Sequence, residues 1–255
     1  MYRRFYYPDR IEYETPADYE LAFEPVYFRS ADGTRLSGWF IPTTEAPSAR
    51  EAKGTAVHMH GNAQNMSTHW AFAEWLLARG YNLFEFDYRS YGKSDNVQPE
   101  PKGVFEDAVA ALDYIRSRQD IDTDKLFVFG QSLGGMLAIA ATAASPKGVR
   151  ALVAEAPFYN YSELADDRRL GDGEWMDNTY TAGAYIKQLS VPLLLIHGTH
   201  DSIVHLSHSE RILAEAPGSK RLEIIQYGRH TDAMTDRHGG GYQDIVARFL
   251  ETQKP

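Results

Sequence analysis

Gly130-Gln131-Ser132-Leu133-Gly134 sets a hydroxyl between two glycines. The apolar run Leu126–Phe129 enters this pentapeptide, and the Ala-rich stretch Gly135–Ala144 leaves it. By composition alone, a Gly-x-Ser-x-Gly pattern arises in about one chain in ten of this length. A strand that turns sharply into a helix needs small residues at both glycines, and such a turn lifts the serine hydroxyl clear of a sheet as a nucleophile. A serine nucleophile needs a base to take its proton and an acid to hold that base in one tautomer. His230, in Ile224-Ile225-Gln226-Tyr227-Gly228-Arg229-His230, follows an apolar run, and Asp201 follows Leu193–His197 and a glycine-containing turn. The order Ser132, Asp201, His230 is nucleophile, acid, base. Glu155, after the run Ala151–Ala154, is the alternative acid.

Acyl transfer also needs two N–H donors for the oxyanion. One comes from the residue after the nucleophile, here Leu133, and the other from a loop after an earlier strand. His60-Gly61-Asn62-Ala63 occupies that place, with Asn62 as the donor and Ala63 as the fallback. His60 reads as a brace for the loop rather than as the base. Asp87 ends another apolar run and is expected to fix the loop that follows it by hydrogen bonds. His197, His200, His205 and His208 cluster around Asp201, but the turn lacks the i, i+4 spacing of a helical metal site and reads as a solvent-exposed loop. His238–Gly241 reads as a flexible loop before the last helix.

These residues need a scaffold. Apolar runs of strand length are Val26–Arg29, Leu36–Ile41, Thr55–His60, Asn82–Asp87, Leu126–Phe129, Ala151–Ala154, Pro192–Ile196 and Arg221–Gln226. From the third onward they lack alternation, as expected of strands covered on both faces. The first two flank the turn Ala31-Asp32-Gly33-Thr34 and read as a hairpin. Helical periodicity marks Val104–Arg118 and the last element, through Tyr242, Ile245, Val246, Phe249 and Leu250. His69–Ala78, Met136–Ala144 and Ser207–Ala216 are further helices. Strands alternating with helices predict a mostly parallel sheet with right-handed crossovers. In such sheets functional groups collect beyond the carboxyl ends of the strands, where all four motifs fall.

Residues 158–190 are longer than a simple connection. They carry Tyr159, Tyr161, Trp175, Tyr180 and Tyr185 among acidic residues, and read as a small cap over an apolar cleft rather than a crossover with excursions. Ala63, Phe158, Tyr159 and Trp175 are its expected substrate contacts.

The 255 residues are expected to form one domain, 1–255. A net charge of −9 argues against a nucleic-acid partner, whose binding needs clustered cations. The absence of cysteine excludes disulfides, thiolate metal sites and cysteine nucleophiles. No apolar run is long enough to span a membrane or to act as a signal peptide, so a cytoplasmic location is expected. Tyr2, Phe5, Tyr6 and Tyr7 beside Arg3 and Arg4 are a candidate for weak membrane-surface contact. An arm packed on the domain is the reading adopted.

Taken together, Ala31–Pro42, His58–Asn65, Phe86–Asp95, Gly130–Gly135, His197–Val204 and Gly228–Asp232 resemble the corresponding motifs of α/β-hydrolases over nearly the whole chain. Within that superfamily the chain resembles the small single-domain hydrolases related to protein depalmitoylases and their bacterial relatives. The resemblance implies an eight-stranded, mostly parallel sheet with helices on both faces. It implies a serine hydrolase that cleaves small-molecule carboxylic esters or thioesters, with no metal or organic cofactor. Unlike the eukaryotic depalmitoylases, the chain has no cysteine to acylate, and Arg229 stands where many relatives carry a small residue. Two other classes stay open. A serine aminopeptidase would need an acidic amine site, for which Glu163, Asp166, Asp167 and Asp172 are candidates. A non-catalytic hydrolase-like binding module would be expected only with a broken triad.

Overall fold

Eight strands hydrogen-bond into one sheet in the computed structural model, which describes residues 2–171 and 173–253. They are β1 (Glu24–Arg29), β2 (Arg35–Ile41), β3 (Gly54–Met59), β4 (Tyr81–Asp87), β5 (Leu126–Gln131), β6 (Val149–Glu155), β7 (Leu193–Gly198) and β8 (Lys220–Ile225). Each lies within two residues of its expected place. Across the sheet the order is β8-β7-β6-β5-β3-β4-β2-β1. The pairs from β8 to β4 are parallel, and β2 is antiparallel to both β4 and β1. The β1–β2 hairpin turns at Gly33, whose φ of +89° suits glycine.

Alternate residues of the central strands feed two cores. Val57, Met59, Leu126, Val128, Leu152, Leu193 and Leu195 face α1 (Pro101–Ser117) and α2 (Leu133–Ala144), together with α3 (Tyr161–Asp167) and Ile212 of α4 (Leu206–Glu215). Ala56, Phe127, Phe129, Val153, Leu194 and Ile196 face Trp70, Leu76 and α5 (Gly241–Thr252). Period-2 alternation with apolar residues on both sides gives the continuous apolar runs seen in the sequence.

Pro101 starts α1 at a position where its missing N–H costs nothing. Val104, Ala108, Ala111, Leu112 and Ile115 then form its buried stripe. In α2 the residues from Leu133 to Ala143 are all buried, and its alanines let it lie close against the sheet. Larger side chains there would overpack, at a cost of about 1–3 kcal/mol.

The helix expected at His69–Ala78 is instead a short helical turn, Met66–His69, followed by 3₁₀ turns at Trp70–Phe72 and Glu74–Arg79. Trp70, Ala73, Leu76 and Leu77 are its buried residues across the 3₁₀ turns. Residues 158–190 run as α3 and short turns at Gly173–Trp175, Ala182–Tyr185 and Ile186–Gln188. Tyr161, Leu164, Ala182, Ile186 and Leu189 join the same core as α1 and α2. The N-terminal arm packs on the domain. Phe5 and Tyr6 are buried against Tyr161, whereas Tyr7 is exposed.

Candidate active site

The strand order reverses between β3 and β5: β4 lies on one side of β3, and the chain then crosses to the other side to form β5. Connections leaving the carboxyl ends of β3 and β5 therefore diverge and leave a crevice. Ser132 stands at that point. A Cβ on Gly134 would lie 1.8 Å from the Met59 carbonyl oxygen, and one on Gly130 would lie 2.3 Å from the Gly134 carbonyl oxygen. Both positions require glycine, because the first turn of α2 packs directly on the end of β3. Ser132 has φ +56° and ψ −115°, a strained backbone for any side chain. Its N–H donates to the carbonyl of Glu155 at 2.9 Å, which fixes the elbow to the neighbouring strand.

Three side chains from three loops meet in a row. Ser132 Oγ lies 2.9 Å from His230 Nε2, and His230 Nδ1 lies 2.7 Å from Asp201 Oδ2. With the imidazole neutral, Nδ1–H donates to the carboxylate and Nε2 accepts the serine O–H. The other Asp201 oxygen accepts the N–H groups of Ile203 and Val204 at 2.8 and 2.9 Å. Burial alone would raise the Asp201 pKa, but bonds from His197, His230 and Val204 outweigh it and hold the carboxyl below its ordinary range. Asp201 is therefore an anion facing the imidazole. Its side chain is fully covered, whereas that of His230 is 21% exposed, so the base is the part open to solvent.

The oxyanion side is built from two loops. Leu133 is the first residue of α2, where a backbone N–H has no intrahelical acceptor. Gly61 passes close to the strand end, since a Cβ there would sit 3.9 Å from the Gln131 carbonyl oxygen. The next residue, Asn62, is held through every other group it has. Its carbonyl accepts Tyr7 N–H and Tyr91 O–H, both at 2.8 Å, and its amide donates to the Phe5 carbonyl at 3.1 Å. Ala63 is exposed and pairs with Tyr7 in a two-residue parallel bridge. His60 is fully buried between Tyr88 and Tyr91 and bonds the Gly61 carbonyl at 2.7 Å. Asp87 fixes its own loop as expected, through its carbonyl, which accepts the Ser94 hydroxyl at 2.7 Å; its carboxyl accepts Met66 N–H at 2.8 Å and so steadies the loop after β3 as well.

Other expected groups are placed differently. Phe158 and Tyr159 are buried, and Trp175 is 67% exposed on its 3₁₀ turn. The Tyr159 ring lies under the Arg211 guanidinium at 3.9 Å, and its hydroxyl donates to Glu215. The histidine cluster is a solvent-exposed loop only in part: His200 and His205 are exposed, whereas His197 and His208 are buried, because each turns inward to a partner. His197 bonds Ser209 and Val204, and His208 bonds Tyr159 N–H and Asp167. Among the described residues no group of three or more His, Asp or Glu is placed to hold a metal ion. Glu155 does not contact His230; its carboxylate accepts Ala233 N–H at 2.8 Å and the Gln131 amide at 2.6 Å. Of the four acids considered for an amine site, Glu163 pairs with Arg211, and Asp167 pairs with His205 and His208. Asp172 lies outside the described residues. Sequence reasoning missed Gln131 and the arm residues Phe5 and Tyr7. The one available signal was a polar residue closing an apolar strand.

Known proteins resemble this chain over most of its length. The sequence pattern of the prolyl oligopeptidase family matches residues 68–244, a span containing Ser132, Asp201 and His230. YfhR of Escherichia coli (strain K12), described as an uncharacterized protein, is 40% identical over 96% of this chain and 86% of its own. The α/β-hydrolase domain-containing protein WAV2 of Arabidopsis thaliana is 30% identical over 94% of this chain and 82% of its own. Among solved structures, the Pyrococcus furiosus esterase Pf2001 superposes with a TM-score of 0.78 at 20% identity, covering 99% of both chains. Acetyl xylan esterase 1 of Thermoanaerobacterium sp. superposes with a TM-score of 0.73 at 17% identity, over 97% of this chain and 87% of its own. No helix among the described residues is long and apolar enough to cross a membrane. The chain belongs to the prolyl oligopeptidase family of the α/β-hydrolase superfamily.

Proposed function

We propose that the protein is a serine hydrolase that cleaves carboxylic esters or thioesters through an acyl-enzyme on Ser132. The observation that carries this reading is the Ser132–His230–Asp201 row, with 2.9 and 2.7 Å between its members. Ser132 Oγ attacks the acyl carbonyl while His230 Nε2 takes its proton. The carbonyl oxygen becomes an oxyanion held by the N–H groups of Leu133 and Asn62. Collapse of the tetrahedral intermediate expels the alcohol or thiol, which His230 protonates. Water, deprotonated by His230, then attacks the acyl carbonyl and frees Ser132. Asp201 stays ionised throughout and steadies the imidazolium. Phe158, buried beside Tyr161 at the start of residues 158–190, is the most direct candidate for the acyl-side wall.

The family match favours a second reading, a peptidase acting on short substrates. Against an aminopeptidase stands the pairing of Glu163 with the Arg211 guanidinium and of Asp167 with the imidazoles of His205 and His208, which leaves them poorly placed to receive a substrate amine. A fluorophosphonate probe tests the first reading. It should label the wild type and not Ser132→Ala; equal labelling refutes it. Turnover of p-nitrophenyl esters and acyl-thioesters against aminoacyl amides then separates esterase from peptidase.

A further inference from the structure

His230 and Ser132 meet only if the loop after β8 and the turn after β5 keep a fixed offset. Glu155, the last residue of β6, touches both. Its carbonyl accepts Ser132 N–H at 2.9 Å, and its carboxylate accepts Ala233 N–H, three residues past His230, at 2.8 Å. The other carboxylate oxygen takes the amide of Gln131, the residue before the nucleophile, at 2.6 Å. Gln131 and Glu155 are register partners on adjacent strands, and each is 1% exposed. Among the described residues the other hydrogen bonds of 231–235 stay within 229–243, so Glu155 is the polar tie of this loop to the sheet, beside the packing of Ala233 and Met234 in the core. Thr231 sits at φ +49°, a conformation that a non-glycine residue keeps only when its surroundings impose it. An apolar side chain of similar size would leave Ala233 N–H and the Gln131 amide buried without a partner.

We propose that Glu155 is a positioning residue for acyl transfer, clamping the loop that carries His230 onto the strand that ends at Ser132. The inference rests on the serine-hydrolase reading above. Two partners are specific to it: Ala233 N–H must find an acceptor, and Gln131 must find its mate. Glutamine satisfies both, since its oxygen accepts Ala233 N–H and its amide meets Gln131 Oε1, which has no partner in the wild type. Leucine satisfies neither.

The experiment compares Glu155→Leu and Glu155→Gln with the wild type on p-nitrophenyl acetate. It also follows the low-field proton resonance of His230 Nδ1–H. Glu155→Leu should lower kcat about tenfold or more, because a small misplacement of the base is costly, while KM stays within about threefold. Its His230 resonance should shift or broaden away, and Glu155→Gln should restore both readouts. A folded Glu155→Leu with wild-type kcat and an unchanged resonance overturns the proposal. So does a Glu155→Gln as impaired as Glu155→Leu. Should Glu155→Leu not fold, Glu155→Asp replaces it, one methylene too short to reach both partners; an unchanged His230 resonance there is equally fatal. A wild type without ester turnover would count against the hydrolase reading, while the resonance would still report on the clamp.

Discussion

Tyr7 donates its backbone N–H to the carbonyl of Asn62 at 2.8 Å, so an arm at the start of the chain fastens the loop assigned to the oxyanion. The tie is reinforced from below by Tyr91 O–H, at 2.8 Å to the same carbonyl. An oxyanion donor acts only if its N–H is already aimed when charge develops. In the proposed mechanism the arm and Tyr91 would supply that aim through the Asn62 carbonyl.

Tyr91→Phe removes one of these two bonds and keeps the ring that packs on His60. Losing an oxyanion donor outright costs about 10²–10³ in kcat, so loosening one should cost less, about three- to tenfold, with KM little changed. Steady-state kinetics on a p-nitrophenyl ester provide the check. Wild-type kcat in Tyr91→Phe would mean that the arm alone suffices.

Asp201→Asn keeps the shape of the acid and removes its charge. The amide favours the wrong imidazole tautomer, and kcat should fall by about 10⁴ while the fold persists. The lowered pKa of Asp201 means that its stabilisation is present above the ordinary value of 3.8 and is lost as pH falls below it. The carboxyl should therefore stay ionised between about pH 5 and 8, and a carboxylic-acid infrared band in that range that Asp201→Asn removes would contradict this.

Gly134→Ala asks whether the elbow tolerates a single methyl. The added Cβ would meet the Met59 carbonyl at 1.8 Å and that of His60 at 2.5 Å, backbone atoms that cannot swing aside. A destabilisation of about 3 kcal/mol or more is expected, at the upper end for one substitution. Chemical denaturation measures it, and a loss below 1 kcal/mol would show that α2 can retreat from β3.

The ends of β3 to β7 were legible because these strands are buried on both faces and read as nearly uninterrupted apolar runs. Ser132 and Asp201 could be placed for that reason, whereas His230 follows the more exposed β8, marked by Ile224 and Ile225. The helix expected at His69–Ala78 misled: the stretch between two strands is helical, but it breaks into a short turn and 3₁₀ turns that leave no distinct mark in the sequence. The arm left no pattern, since Tyr7 and Phe5 hold Asn62 through backbone atoms that every residue carries. His197 and His208 looked solvent-exposed because their partners, Ser209, Val204 and Asp167, come together only in the folded chain. Glu155 was legible as an acid at a strand end, but not the Ala233 N–H that it serves.

The burial of Glu155 makes the last prediction one of stability against pH. Desolvation is the main cause, and the carboxylate of Asp232 adds to it. Gln131, the Ala233 N–H and His197 partly counter, leaving the Glu155 pKa pushed up to about 7 from an ordinary 4.5. His58 and Glu85 are also buried there, joined to each other at 2.8 Å. Between pH 4.5 and 7 the folded protein holds a proton on Glu155 that the unfolded chain has released. The folded state binds more protons, so stability falls as pH rises through this window, by about 3 kcal/mol in all. Glu155→Gln has no such proton to lose, whereas Glu85 titrates in both proteins and cancels from their difference. Denaturation midpoints at pH 4.5 and 7.5 should therefore drop for the wild type relative to Glu155→Gln, and parallel pH profiles would show that Glu155 ionises as it does in water.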